Sequence, residues 1–150
     1  MLALSQTTGY VIVAMAQLNP PEGPPKLVRE VAEETGIPPA YLSKTVYRLR
    51  ESGLLKSRRG VKGGVTLARS PEKISLLQIA EAVEGEGWLS RSLLGLEICS
   101  DERACPTHEF WKPLREKVQN RLRELSLADI MRFEGKAWRT QLQLPFIFPD

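Results

Sequence analysis

Residues 37–69 read IPPAYLSKTVYRLRESGLLKSRRGVKGGVTLAR. The stretch describes a short amphipathic helix running directly into a basic, glycine-tipped hairpin, the pairing of a recognition helix with a wing. Pro38 and Pro39 suit a helix start, where the missing N–H is no loss and φ is already near its helical value. Leu42, Val46 and Leu49 recur at helical spacing and predict one buried stripe. The other faces carry Tyr41, Ser43, Lys44, Thr45, Tyr47, Arg48 and Arg50, with no carboxylate before Glu51. Gly53 stops the helix. Two short strands follow around a tip in which Gly60, Gly63 and Gly64 allow tight turns and close backbone approach.

Charge sets this stretch apart. From Tyr41 to Arg69 there are eight Lys or Arg against Glu51 alone, a local charge of +7 in a chain whose net charge is +3, so the remainder carries −4. A cationic surface on a mildly acidic body is the footprint of phosphate binding, which draws affinity from counterion release. The bland alternatives are a solvated charged face or a winged helix that contacts protein.

Composition narrows the class. One hundred and fifty residues, 42% of them hydrophobic, make one ordinary domain or a small domain with a dimerisation extension. The sequence pI of about 9.0 points to an acidic polymer or surface as partner. Two cysteines are too few for a disulfide framework and fit a reduced, cytoplasmic chain. The apolar run at residues 10–18 has no basic segment before it and is too short to span a bilayer, so neither a signal peptide nor a membrane partner is expected.

In chain order, residues 5–18 predict a buried helix and residues 19–25, NPPEGPP, a breaker-dense loop. Residues 26–35 place Leu27, Val28, Val31 and Ala32 on one side and charge on the other. They read as the first helix of a helix-turn-helix ended by Gly36. After the wing, Ser75 and Gln78 match a capping box ahead of the apolar face Leu76, Ile79, Ala80 and Val83. Residues 88–107 have little periodicity. From Pro106 onward Phe110, Trp111, Leu114, Val118, Leu122 and Leu125 recur every three or four residues, predicting a helix of roughly 20 residues, about 30 Å long. Such a helix outreaches a compact winged domain, and a twofold partner is the surface its stripe is expected to meet; packing back on its own domain is the alternative. Ser126 and Asp129 suggest a second cap and a short final helix. The expected division is a winged helix-turn-helix at 1–87, a Cys/His loop at 88–107, a dimerisation helix with the short final helix at 106–131, and a tail at 132–150. The fold class is mainly α with a small β-wing.

An apolar first helix, then YLSK-x-x-x-RLR-x-x-GLL, the wing RG-x-x-GG-x-x-LA and finally C-x5-C-x2-H-x2-W before a long helix together resemble the Rrf2 family of bacterial winged-helix regulators, which includes the IscR, NsrR and RirA types. The resemblance covers about residues 1–131. It implies a homodimer that binds a pseudo-palindromic operator in double-stranded DNA, and in many members an iron–sulfur cluster held by three loop cysteines and a further ligand. Cys99 and Cys105 fall on the second and third of those cysteines and His108 on the histidine some members use. Ser92 stands where the first cysteine belongs, and residues 1–18 contain no Asp, Glu or His. The cofactor expected from the resemblance is therefore a cluster of unusual ligation, 2Fe–2S before 4Fe–4S, or none at all because of Ser92.

Three readings of Cys99, Cys105 and His108 compete. Soft ligands suit a cluster, and Cys with His suits zinc equally well. Thiolates near cations such as Arg103 suit cluster-free sensing by oxidation. An inert, relic loop is the third. The expected function is a DNA-binding regulator, a repressor answering to a cluster or redox signal, with a small-molecule effector or protein partner as alternative input. Base readout is assigned to Tyr41, Ser43, Lys44, Thr45 and Arg48, backbone positioning to Lys56, Arg58, Lys62 and wing amides such as that of Gly60, and minor-groove insertion to Arg59. Phe110, Trp111, Leu114, Val118, Leu122 and Leu125 are the expected dimer interface. An enzyme is not expected, since there is no C-x-x-C pair and no paired acid and base.

Overall fold

Caps and glycine stops divide the chain where the sequence suggests. In the computed structural model, which describes residues 4–90 and 100–134, six helices and one hairpin follow in order. They are α1 (Gln6–Ala16), α2 (Val28–Thr35), α3 (Pro39–Glu51), β1 (Leu55–Arg58), β2 (Gly64–Leu67), α4 (Leu76–Glu84), α5 (His108–Glu124) and α6 (Leu127–Glu134). Single 3-10 turns lie at Pro71–Lys73, Trp88–Ser90 and Asp101–Arg103. This is a mainly α fold with a two-stranded antiparallel wing, the class expected. The expected tail falls largely outside the described residues.

Each boundary has a physical cause. The hydroxyl of Ser5 caps α1 by accepting from the Thr8 amide at 3.3 Å. At the end of α3 the Gly53 amide donates to the Arg50 carbonyl and the Leu54 amide to that of Leu49, both at 2.9 Å, with Gly53 at φ 68°. That pair of bonds is a Schellman motif, and it turns the chain from the recognition helix into β1. Pro39 occupies the first turn of α3, Leu42 and Leu49 are buried and Val46 is half-buried.

The first helix of the pair begins at Val28, two residues later than periodicity alone predicts. Lys26 instead forms an isolated antiparallel bridge beside the wing: its amide donates to the Val65 carbonyl at 3.0 Å and its carbonyl accepts from the Val65 amide at 2.8 Å. A Cβ on Gly64 would stand 2.4 Å from the Lys26 carbonyl oxygen, so this close approach requires glycine. The strands pair Leu55 with Leu67, Lys56 with Thr66, Ser57 with Val65 and Arg58 with Gly64.

One core unites these elements. Met15 of α1, Leu54, Leu67, Ile74 and Ile79 are almost fully inaccessible, and Leu127 of α6 joins the same cluster. The C-terminal helix thus shares the core of the segment 1–87. A backbone bridge fixes it there, with the Leu76 amide donating to the Leu125 carbonyl at 2.9 Å and the Leu127 amide to that of Ile74 at 2.8 Å. A second, smaller cluster joins Ala80, Trp88 and Leu89 to Leu4, Val118 and Leu122.

Candidate nucleic-acid interface and sensor loop

Helical geometry sorts the polar residues of α3 by direction. With 100° per residue and Leu42 and Leu49 facing the core, Ala40, Ser43, Lys44 and Tyr47 lie outward, and all four are exposed. The Ser43 hydroxyl donates to the Pro39 carbonyl at 2.8 Å, leaving its oxygen able to accept, and Lys44 extends freely beside it. Thr45 is half-buried and donates to the Leu42 carbonyl at 2.8 Å.

Tyr41 and Arg48 are turned elsewhere. The Tyr41 hydroxyl donates to Thr7 of α1, and its ring meets that of Tyr10 edge-on with centroids 6.0 Å apart. Burial and the neighbouring Tyr41 raise the Tyr10 pKa above its ordinary value. Arg48, though exposed, donates from Nη1 to the Val83 carbonyl near the end of α4 at 3.2 Å. One residue on, the Glu84 carboxylate accepts from the Ser5 amide at 3.0 Å and from the hydroxyls of Ser5 and Thr8. The first turn of α1, the last turn of α4 and one flank of α3 therefore meet in one hydrogen-bonded junction. The sequence assigns Tyr41 and Arg48 to base readout because they are polar and on the recognition helix; in the folded chain they also bond to Thr7 and to the Val83 carbonyl. That assignment leaves Tyr47 and Arg50, both exposed, out of the readout set, although Tyr47 follows Ser43 and Lys44 at i+4 and i+3.

The wing leaves its cations in solvent. Lys56, Arg58, Arg59, Gly60 and Lys62 are all exposed, and Val61 at the tip is fully exposed. Leu55 and Val65 are buried beneath them, so the hairpin is anchored at its base and free at its end.

The loop that follows α4 has a different character. Ser92 and Cys99 lie outside the described residues. Trp88 and Leu89 are buried at its start, and among the described residues the Trp88 indole N–H finds no acceptor. Cys105 is half-buried, with its Sγ 3.1 Å from the Thr107 hydroxyl and its carbonyl accepting the His108 amide at 2.9 Å. His108, the first residue of α5, is only 3% exposed. Its Nε2 lies 2.8 Å from Oδ1 of Asp101, whose carboxylate also accepts from Lys112 Nζ at 2.8 Å. The Lys112 ammonium, and after it His108, hold the Asp101 carboxyl below its usual range, and Asp101 in turn raises Lys112. Among the described residues no group of three His, Cys, Asp or Glu side chains could hold a metal ion. Cys105 and His108 alone do not complete a cluster site, and one imidazole nitrogen of the pair is already bonded to a carboxylate.

The apolar stripe of α5 divides along its length. Val118 and Leu122 pack on the Ala80–Trp88–Leu89 cluster, and Leu122 and Leu125 on the main core. Toward the N-terminus Phe110 is 66% exposed, its ring edge-on to Trp111 at 5.1 Å, and Trp111 and Leu114 are half-buried. Pro113 sits inside this helix and removes the N–H that would reach the Glu109 carbonyl. Among the described residues no helix is long and apolar enough to cross a membrane.

Known proteins agree with this geometry. The Rrf2 model, described as an iron-dependent transcriptional regulator, matches residues 4–132. The HTH-type transcriptional regulator IscR of Xenorhabdus nematophila is 32% identical over 133 residues, 87% of this chain and 80% of its own. Among solved structures, T. potens IscR superposes with a TM-score of 0.69 at 28% identity, covering 93% of this chain and 90% of that one. CymR, the global cysteine regulator of B. subtilis, superposes with a TM-score of 0.70 at 26% identity, over 89% of this chain and 98% of its own.

Proposed function

Since the chain belongs to the Rrf2 family of transcriptional regulators, and is a regulator rather than an enzyme, we propose that it binds a pseudo-palindromic operator in duplex DNA as a homodimer and represses transcription in answer to a redox signal. The observation that carries this reading is the outward face of α3, where Ser43 and Lys44 stand exposed immediately ahead of a hairpin with four exposed cations. The helix presents side chains to base edges in the major groove, and the cations fix it on phosphates. Lys56, Arg58 and Lys62, with the Gly60 amide, serve the backbone, and Arg59 at the wing tip suits a narrow minor groove. Tyr41 and Arg48 act one step back, holding α3 against α1 and α4 so that Ser43 and Lys44 arrive in register.

Dimerisation gives the two helices their spacing. Two half-sites one DNA turn apart, about 34–36 Å, match a twofold protein. The N-terminal half of the α5 stripe, with Phe110 exposed and Trp111 and Leu114 half-buried, is the surface offered to a second copy.

The signal enters at the loop. If a cluster is bound, Cys99, Cys105 and His108 are the residues that hold it, and it supplies one-electron redox chemistry. A cluster-free reading is favoured by a specific observation: His108 is buried and bonded through Nε2 to Asp101, while Ser92 replaces the first family cysteine. In that case Cys99 and Cys105 respond as thiols. DNA affinity measured against salt tests the main claim, since log K must fall linearly with log salt as phosphates are neutralised; a flat slope would sink it. Iron, acid-labile sulfide and the visible spectrum of protein purified without oxygen then separate the two inputs. Colourless, iron-free protein whose affinity changes on peroxide treatment, and no longer does so as Cys105→Ala, supports the thiol reading.

A further inference from the structure

The large exposed hydrophobic side chains among the described residues include two on the cationic segment, Tyr47 at 64% and Val61 at full exposure. Tyr47 makes no hydrogen bond within the described chain, whereas Tyr41 on the same helix donates to Thr7 and meets the ring of Tyr10 edge-on. Side chains on a helix lean toward its N-terminus, a direction that aims Tyr47 at the turn carrying Ser43 and Lys44. It is an apolar plate on a face otherwise built from a hydroxyl and cations.

Such a ring gains from burial only against apolar surface. In the major groove of duplex DNA the apolar group on a base edge is the C5-methyl of thymine. Arg50, Lys56 and Arg58 are exposed cations available to phosphates. Resting on the DNA-binding reading above, we infer that Tyr47 is a specificity-determining residue that reads a thymine methyl in each half-site, beside the bases met by Ser43 and Lys44. The phenol ring, not its hydroxyl, makes the contact. Val61 serves as an internal contrast, because a wing tip in the minor groove meets no methyl group.

The test uses the full chain and duplexes selected by it from a randomised library. In the best duplex each thymine is replaced in turn by deoxyuridine, which removes only the methyl, and affinity is read by fluorescence anisotropy. One symmetry-related thymine position is expected to lose about fourfold per half-site with the wild-type protein, the loss of one buried methyl. Tyr47→Phe keeps that loss, Tyr47→Ala abolishes it, and Val61→Ala lowers affinity without altering it. Melting temperatures of the variants confirm that these exposed positions leave folding intact. A deoxyuridine loss that persists in Tyr47→Ala, or no thymine that responds at all, overturns the inference while leaving DNA binding standing. Failure of any duplex to bind refutes both the DNA-binding reading and the role of Tyr47.

Discussion

The two flanks of α3 carry the same kinds of side chain and do different things. Ser43, Lys44 and Tyr47 point into solvent, while Tyr41 and Arg48, a few residues away, hold the helix to α1 and α4. Helix α5 repeats the lesson along its axis. Its C-terminal apolar residues, Val118 and Leu122, are spent on the chain's own clusters, while near its N-terminus Phe110 is exposed. In both helices residue type names a capacity, and direction decides its use.

The largest effects should come from breaking the contrast within α5. Phe110→Glu places a charge on the N-terminal half and is expected to weaken dimerisation by about thirtyfold, as at a central interface residue, with the unfolding free energy of the monomer unchanged. Leu122→Ala should do the reverse, costing about 2 kcal/mol in urea unfolding and leaving the dimer constant close to wild type once folded. Sedimentation equilibrium and denaturation read the two arms. A monomer unfolded by Phe110→Glu, or a dimer lost through Leu122→Ala alone, would erase the distinction.

Next in size are the flanks of α3. Lys44→Ala is expected to lower operator affinity about tenfold, with no change in melting temperature, because the side chain is exposed. Tyr41→Phe deletes only the hydroxyl that reaches Thr7. It should cost about 1 kcal/mol of stability, the net worth of one hydrogen bond, and leave affinity within twofold. Equal losses of affinity in the two variants would return Tyr41 to the base readers.

How far the chain could be read from residues alone follows the same division. The helix-turn-helix, its Pro start and Gly53 stop, the wing and both capping serines are local signals, carried within a few residues, and they lie where they were expected. Lys26 was lost to a helix because its partner, Val65, lies far along the chain and a single-residue bridge leaves no periodicity. The bond from Arg48 to α4 depends on a carbonyl 35 residues away. Asp101 gives no sequence signal as the partner of His108 for a similar reason: a carboxylate in an aperiodic segment carries no pattern, and its bonds to His108 and Lys112 form only when α5 is folded. The Cys/His spacing itself was plain from family likeness, but spacing could not say that the imidazole is already engaged.

The two N-terminal caps that meet at the Ser75–Ser126 bridge offer the finest comparison, since one is neutral and the other charged. At α4 the Ser75 hydroxyl accepts from the Gln78 amide and the Gln78 side chain accepts from the Ser75 amide, both neutral. At α6 the Asp129 carboxylate takes the place of that amide, accepting from the Ser126 backbone and hydroxyl at 2.8 Å each, with Arg132 beside it. The Ser126 backbone N–H first, then its hydroxyl and Arg132, hold the Asp129 carboxyl down at about 2 from an ordinary 3.8. Because the folded value is the lower one, the unfolded chain binds the proton first. The stabilisation is therefore complete above about pH 4 and is lost as pH falls from there toward 2. Asp129→Asn should be less stable than wild type at pH 6, and the gap in urea midpoint should shrink steadily between pH 4 and pH 3. Gln78→Ala, which breaks the neutral cap, should show a gap that does not move over the same range. A constant gap for Asp129→Asn would mean that the α6 cap draws nothing from its charge, and that the two caps are held by hydrogen-bond geometry alone.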